Sequence, residues 1–500
     1  MNQNTPRLRT GGILLCLLAL CAAAVAAGPP ATDNPEVQHV IAEALKPSPL
    51  DSNLQHLTDV IGGRVPGTPA MEKAVAWAQQ AFRAAGGKNV HAEPFQIPRS
   101  WGEGKTQFSI VAPLALKLHA VSVAWAPPLA ALHHAQIVDV QDGTEDDFRR
   151  SGDIAGRIAL VHGKVIQTWD DLNEEYDRVP PIIRRALAGK AAAIAWIAER
   201  DRDLLYRHTD TQTGDLEPIP QLIVAREEGL RIARLIASGK QIYADLEIPN
   251  RVGGALTTAN VVAEIPGSEH PEQVVILGAH LDSWELGTGA LDNGCNSVMV
   301  IDALRAIRAA GVRPRRTIRF VLFSGEEEGL LGSEAYARRH RAELNNALAA
   351  VVFDSGSGRV TGFTLSGRTE LARAASQLMA PLNSMGVTQI TEDADMGTDN
   401  FDFVLEGVPT LVANQDPANY MQNYHAMSDT FDKVDLGNLR KEVAEAAAVV
   451  VGIADAPQRF GKRQSRPQIS ELLRATHLED TMKRNGVWAA WQSGQRGRKP

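Results

Sequence analysis

From residue 255 onward, apolar runs alternate with amphipathic segments, and this alternation is the feature that most limits how the chain can fold. Such a pattern is typical of sheets whose strands are joined through helices. The predicted strands are Val274–Gly278, Thr317–Phe323 and Ala350–Phe353, and the predicted helices are 296–310, 330–344 and 437–455. We therefore predict an α/β fold with a doubly wound, mixed but mostly parallel sheet flanked by helices.

The rest of the chain predicts several further units. Residues 115–250 mix short β-like runs with charged, turn-rich stretches, which predicts a small α/β domain inserted into the main one. The predicted divisions are a signal peptide (1–27), the first part of the main domain (28–114), the inserted domain (115–250), the second part of the main domain (251–457) and a basic C-terminal extension (458–500). For this extension we expect a solvated or loosely docked segment.

The first residues predict export. Arg7 and Arg9 precede the apolar run Ile13–Leu20, and small residues follow as far as Ala27. This order is typical of a cleaved secretory signal, so we expect a periplasmic or secreted protein with no stable membrane anchor. An uncleaved anchor and a lipid-modified Cys21 are weaker alternatives. Cleavage leaves Cys295 as the only cysteine, which excludes an internal disulfide.

Composition narrows the possible functions. The 500 residues are 44% hydrophobic and 22% charged, as in ordinary globular proteins. The formal net charge is −8. This acidity opposes binding to phosphate backbones, so we expect no nucleic-acid partner.

Potential metal ligands follow the predicted strands. His280 ends the first strand, Glu326 and Glu327 follow the second, and Asp354 follows the third. Asp292, in a glycine-rich loop, and His425 complete the set. Because ligands bind outside the carboxyl ends of strands in open α/β sheets, we expect these groups to share one crevice. Their carboxylates would repel one another there unless cations lay between them.

The ligand types predict the metal. Two imidazoles mixed with three carboxylates suit zinc, whereas oxygen-only sets suit magnesium or calcium. Five ligands are too many for one tetrahedral ion with an open position, but they suit two ions that share a carboxylate. Asp292 is the natural bridge because its loop lies between the other ligands. We therefore predict two Zn²⁺ per subunit.

These motifs resemble the co-catalytic di-zinc exopeptidases, most closely the branch of plasma glutamate carboxypeptidases. The resemblance covers about residues 34 to 455. The motifs that carry it are Gly278-Ala-His-Leu-Asp-Ser-Trp284, Gly289-Ala-Leu-Asp-Asn-Gly294, Phe323-Ser-Gly-Glu-Glu-Glu328, Asp354 and Tyr424-His425. It implies a zinc-exopeptidase fold and a protease-associated domain as the insertion.

The resemblance also implies a role for each ligand. His280 and Asp354 would hold one zinc, Glu327 and His425 would hold the other, and Asp292 would bridge both. The main domain would then be a peptidase domain.

Further roles follow from the same resemblance. Glu326 would be the general base toward a water activated by the two zinc ions, and Asp282 would orient His280. Tyr424 would hydrogen-bond the oxyanion, or else simply pack beside the site. Asp399 would bind a substrate amino group.

Together these points predict an exported zinc-dependent exopeptidase that acts on dipeptides or short unblocked peptides. A carboxypeptidase acting on longer peptides and a non-catalytic binding protein on the same fold remain alternatives. A serine hydrolase is disfavoured because no Gly-x-Ser-x-Gly elbow is present. A related acyltransferase would bind a single zinc. The expected partner is a peptide substrate, and a second copy of the chain, covering the cleft as a homodimer, is a further candidate.

Overall fold

The structure is a computed structural model that describes residues 34–499. The predicted signal peptide, with Cys16 and Cys21, lies outside these residues. Among the residues described, none of the helices combines the length and the apolar character that crossing a membrane requires. Cys295 is buried and carries a free thiol.

Two eight-stranded sheets and a two-stranded ribbon make up the β-structure of the described residues. The first strands are β1 (Lys88–Ile97), β2 (Trp101–Gly102), β3 (Gln107–Ala112), β4 (Leu116–Lys117), β5 (Ala120–Ser122), β6 (Leu129–Asp139), β7 (Ile158–Val161), β8 (Ala193–Ile197) and β9 (Gln221–Val224). The others are β10 (Ile242–Ile248), β11 (Arg251–Val252), β12 (Leu256–Ile265), β13 (His270–His280), β14 (Arg316–Phe323), β15 (Ala347–Val352), β16 (Val360–Thr364), β17 (Gln389–Thr391) and β18 (Thr410–Gln415).

The α-helices lie between and after these strands. They are α1 (Pro35–Ala44), α2 (Leu50–Gln55), α3 (Pro69–Ala84), α4 (Glu145–Ser151), α5 (Trp169–Ala188), α6 (Arg226–Ala237), α7 (Cys295–Ala309) and α8 (Leu331–Arg339), followed by α9 (Ala372–Met379), α10 (Asn400–Leu405), α11 (Tyr420–Asn423), α12 (Leu436–Asp455), α13 (Arg466–Ala475), α14 (Leu478–Arg484) and α15 (Trp488–Ser493). Local chemistry sets several ends: Thr68, for example, caps α3 by accepting from the Met71 amide, and Pro69 occupies its first turn.

The main sheet has the order β1-β12-β14-β13-β15-β18-β16-β17. Its centre is parallel, because β13 pairs with both β14 and β15, and β15 pairs with β18 in the same direction. The β1–β12, β12–β14 and β16–β18 pairs are antiparallel. The predicted mixed, mostly parallel sheet is confirmed.

Both faces of this sheet are covered by helices. Along β13, Val275 and Leu277 pack into the core formed with α1, α7 and α12. Val274 and Ile276 point the other way, toward Tyr336 of α8 and Phe403 of α10. The two-residue alternation of a strand therefore serves two cores, which is why these strands are apolar throughout. The helix predicted at 330–344 ends at Arg339 instead.

The second sheet is formed entirely by the chain between residues 107 and 248. Its order is β4-β3-β10-β6-β7-β8-β9-β5, with α5 against one core and α6 against the other. The predicted boundary at residue 115 is too late, because β3 pairs with β10 of this sheet rather than with the main sheet. Phe108 and Ile110 of β3 are buried in its core, a long-range contact that local sequence does not reveal. The ribbon of β2 and β11 joins the two units.

The C-terminal extension is firmly docked, contrary to our expectation. Its helices α13, α14 and α15 bury Ile469, Leu473 and Met482 against α10. Arg496 is 3% exposed and forms a two-pronged ion pair with the buried Asp402, with both N–O distances 2.8 Å. The basic residues that suggested a solvated segment therefore include some that are paired inside the protein.

Candidate metal centre

The centre of the main sheet brings the predicted ligands to one edge. His280 is the last residue of β13, Asp354 follows β15 by two residues, and Glu326 and Glu327 follow the end of β14. Because β14, β13 and β15 are adjacent and parallel, their carboxyl ends meet. His425 reaches the same place from the loop after α11.

The ligands form two groups around Asp292. His280 Nε2 lies 2.9 Å from Asp354 Oδ1 and 3.1 Å from Asp292 Oδ1. On the other side, His425 Nε2 lies 2.9 Å from Glu327 Oε2 and 3.4 Å from Asp292 Oδ2. Each oxygen of the Asp292 carboxylate therefore faces a different histidine, as expected of a carboxylate shared by two ions.

Glu326 lies close to this centre but outside both groups of short contacts. Its Oε2 is 4.0 Å from His280 Nε2, and its side chain is 11% exposed. Burial, together with the nearby carboxylates of Asp354 and Glu327, raises its pKa well above the usual range. A carboxylate with this pKa and a position beside the ligands is suited to accept and return a proton.

The charges of the centre favour a bound cation. Four carboxylates and two imidazoles share a buried space, and Glu327 Oε1 is buried without a hydrogen-bond partner among the described residues. Burial raises the pKa of Glu327 to about 7. Burial opposes the charged form of His425, but Glu327 and Asp292 outweigh it and raise the pKa to about 9. A divalent cation would relieve both the carboxylate repulsion and the unpartnered oxygen, so the residues fit the predicted zinc ions.

Two residues to which the sequence analysis assigned no role hold the Asp292 loop. Asp429 accepts hydrogen bonds from the backbone amides of Ala290, Leu291 and Asp292, at 3.1, 2.7 and 3.1 Å. The fully buried Arg64 donates to the carbonyls of Leu281, Gly62, Thr288 and Gly289. Apart from the contact with Gly62, these contacts join residues more than 100 positions apart, so spacing in the sequence carries no signal for them.

Asp282 supports two ligands at once. Its backbone carbonyl lies 3.0 Å from His280 Nδ1, whereas its carboxylate is 3.7 Å away. The carboxylate accepts from the Glu327 amide at 3.2 Å. Asp282 therefore contacts His280 chiefly through its main chain, and its side chain steadies the neighbouring glutamate.

Aromatic groups from both units surround His425. The Tyr424 ring stacks on the His425 ring with centroids 3.7 Å apart, and its hydroxyl lies 2.7 Å from the hydroxyl of Tyr176 on α5. Tyr420 donates to Asp292 Oδ2 at 3.0 Å. The Arg207 amide donates to the His425 carbonyl at 2.9 Å, so the second unit also holds this ligand's backbone. The sequence analysis missed Tyr176 and Tyr420.

A cleft opens onto the centre. Its lining includes Asp292, Glu326, Glu327, Asp354 and His425, together with Tyr424, Tyr176, residues 394–398, and Leu478, Thr481, Arg484 and Asn485 of the C-terminal extension. The extension, expected to be loosely attached, thus forms part of the cleft wall. Tyr424 reaches the cleft as its predicted role requires.

Asp399 does not face the cleft as we expected. It is fully buried, neither carboxylate oxygen has a hydrogen-bond partner among the described residues, and burial raises its pKa well above the usual range. Residues 394–398 line the cleft in its place. Asp399 directly precedes α10 and is not among the residues that line the cleft.

Comparison with known proteins places these features in context. Residues 260–451 match the sequence model of Peptidase family M28. Carboxypeptidase Q from Bos taurus is 28% identical over 411 residues, which cover 80% of this chain and 84% of that protein. The matched range contains every predicted metal ligand.

Solved structures show the same architecture. A Peptidase M28 precursor from Shewanella amazonensis superposes with a TM-score of 0.78 at 26% identity, covering 86% of this chain and 98% of that one. A zinc aminopeptidase from Bacillus subtilis superposes with a TM-score of 0.63 at 19% identity, covering 85% of this chain and 97% of that one, and shows likeness of fold alone.

Proposed function

This chain belongs to peptidase family M28 and is a metallo-peptidase, and on that premise we propose that it is an exported di-zinc exopeptidase that hydrolyses dipeptides or short unblocked peptides. The observation that carries the proposal is the placement of the two Asp292 oxygens, each toward a different histidine. A shared carboxylate of this kind suits two ions rather than one. The export step rests on the sequence of residues 7–27.

The ligand residues divide into two sets. His280 and Asp354 would hold one zinc, Glu327 and His425 would hold the other, and Asp292 would contact both. When bound, the two ions supply Lewis-acid polarisation of the peptide carbonyl and lower the pKa of water toward about 7. The chain itself keeps the ligands in place through Asp429, Arg64 and Asp282.

Glu326 moves the proton in this proposal. Its carboxylate takes a proton from the attacking water, and it returns that proton to the nitrogen of the leaving amine. The peptide C–N bond breaks as the new C–O bond forms, so the products are a carboxylate and an amine. Its 4.0 Å separation from His280 leaves it free of the shortest ligand contacts.

Tyr424 would stabilise the charge that develops on the peptide oxygen. Its ring is held against His425, and the Tyr176 hydroxyl fixes the direction of its own hydroxyl. A preorganised donor of this kind acts on the transition state more than on the substrate. Residues of α5 and α14 form parts of the cleft wall, and walls on these sides would favour short substrates.

The test is hydrolysis of a small panel by the zinc-loaded protein. The panel holds an unblocked dipeptide, its amino-acetylated form, its carboxamide and a pentapeptide of the same residues. We expect the dipeptide to have the highest kcat/KM and the acetylated form to fall by more than tenfold. Equal rates for the acetylated form would favour a carboxypeptidase, and no zinc-dependent hydrolysis of any member would refute the proposal.

A further inference from the structure

A second cavity adjoins the metal centre. It shares Tyr176, His208, Tyr424 and His425, among other residues, with the cleft as common walls. The walls that it does not share with the cleft come from the second unit. Their apolar side chains include Val123, Ile166, Val179, Trp196 and Ile223, and their charged side chains are Glu175, Glu199, Arg200 and Asp210. A substrate group that entered this cavity from the cleft would therefore be removed from solvent at a position next to the ligand His425.

Arg200, one of the lining residues, is a buried cation without an anionic partner. The residue is 2% exposed, and no carboxylate of the described residues lies within 4.0 Å of its guanidinium. One terminal nitrogen donates to the Glu199 carbonyl at 3.1 Å and the other to the Tyr424 carbonyl at 2.9 Å. Its Nε is buried and has no hydrogen-bond partner among residues 34–499. Buried arginines are normally paired with a carboxylate, so Arg200 lacks an anionic partner that a bound molecule could supply.

The neighbouring carboxylates do not meet this need. Arg178 pairs with Glu175 and lies 3.4 Å from Glu199. Burial and the adjacent Glu175 raise the pKa of Glu199 well above the usual range, so its neutral form is favoured. Burial does the same for Asp210. The Arg200 guanidinium lies over the Tyr206 ring, 4.8 Å from its centroid, but it forms no ion pair with a carboxylate among the described residues of the cavity.

We propose that Arg200 binds a carboxylate of the peptide substrate and so determines specificity at this site. The anion is the free α-carboxylate or the side chain of a glutamate or aspartate, since both present the same planar pair of oxygens to a guanidinium. The Tyr424 carbonyl that it contacts is one residue from His425, which places the cation beside the reacting end of the substrate. The apolar walls would receive the adjoining side chain. This inference rests on the proposed peptidase function.

The C-terminal extension contains a second arginine that could bind the substrate carboxylate. Arg484 also lines the cleft, but its guanidinium lies 2.6 Å from Asp177 of α5 and is 36% exposed. A cation already paired and partly hydrated gains less from a substrate carboxylate than an unpaired, buried one. Arg484 therefore serves as the comparison in the test.

Three substrates separate the two sources of the carboxylate. They are an unblocked dipeptide with apolar side chains, its carboxamide, and the carboxamide of a dipeptide that ends in glutamate. For the wild-type enzyme we expect at least one carboxylate-bearing substrate to exceed the plain carboxamide in kcat/KM by about a hundredfold, mostly through KM. Preference for the free acid assigns the α-carboxylate, and preference for the glutamate carboxamide assigns the side chain.

The variants test the assignment to Arg200. Arg200→Met should reduce the ratio of kcat/KM between the preferred carboxylate-bearing substrate and the plain carboxamide to about threefold or less. Zinc-dependent hydrolysis of the plain carboxamide should persist. Arg226→Met is the matched control, because Arg226 also donates to two carbonyls of the same unit, those of Gly163 and Ala198, yet does not line the cavity. The control should keep the wild-type ratio.

Arg200→Lys covers the case in which Arg200→Met does not fold. Lysine keeps the charge but cannot form the two-pronged contact, so the ratio should fall to roughly tenfold. The proposal is overturned if the wild-type enzyme shows no preference, if Arg200→Lys keeps the full ratio, or if only Arg484→Met removes it. Loss of all zinc-dependent hydrolysis by the wild-type enzyme would instead refute the proposed function.

Discussion

Replacing Glu326 with glutamine isolates proton transfer from metal binding. The two side chains have nearly the same shape, so the cleft should be preserved. Glu326 Oε2 is 4.0 Å from His280 Nε2, whereas the proposed ligand atoms of Asp354 and Asp292 lie at 2.9 and 3.1 Å from the same nitrogen. The substitution therefore removes the proposed base and leaves those closer contacts in place.

The expected loss follows from the role of a general base. Such a group contributes roughly 10²–10⁴ in rate, or about 2.7–5.4 kcal/mol at about 1.36 kcal/mol for each factor of ten. We expect kcat for an unblocked dipeptide to fall by about 10³, with little change in KM. Because glutamine is neutral and the pKa of Glu326 is raised by burial, the substitution should not destabilise the fold.

The assay combines steady-state kinetics with metal analysis of the dialysed protein. Glu326→Gln should retain two zinc ions per chain. Glu327→Gln is the matched comparison, because Glu327 Oε2 lies 2.9 Å from His425 Nε2 and its loss should weaken one zinc by more than about tenfold. The reasoning is refuted if Glu326→Gln loses zinc while Glu327→Gln keeps it, or if Glu326→Gln retains more than a tenth of the wild-type kcat.

Three further results are expected. Chelation should abolish hydrolysis and two equivalents of zinc should restore it in a titration followed by activity; full activity at one equivalent would contradict the shared-carboxylate site. Burial raises the pKa of Glu445 to about 8 from 4.5, so between these pH values the folded chain keeps a proton that the unfolded chain releases. The free energy of unfolding of the wild type therefore falls as the pH rises from 4.5 to 8. In denaturant titrations, Glu445→Gln should be more stable than the wild type by up to about 4–5 kcal/mol at pH 9 and by almost nothing at pH 4.5. Arg496→Met should lower the free energy of unfolding by about 3–5 kcal/mol because it leaves Asp402 buried and unpaired. Adding Asp402→Asn should recover part of that loss. A calorimetric unfolding temperature equal to that of the wild type would contradict the docked extension.

The central strands of the main sheet and the groups that gather at its edge could be predicted from the sequence. Apolar periodicity is a local property, so runs such as Val274–Gly278 predict strands without knowledge of their neighbours. Once the strands are parallel, residues that follow their ends must approach one another. This is why His280, Glu327 and Asp354 could be placed at one crevice from their positions in the chain.

Tertiary structure alone decided which charged residues are buried and what they contact. Asp399 was expected to bind a substrate amino group, yet it is fully buried and is not among the residues that line the cleft. Arg496 belongs to a basic segment that suggested solvation, yet it pairs with Asp402 inside the protein. The residues beside Arg200 in the sequence do not indicate that its guanidinium lacks an ion-pair partner. Burial and pairing depend on groups that are distant in the sequence, 94 residues for Arg496 and Asp402. The free energy of a charge depends on these surroundings far more than on the residues beside it in the chain.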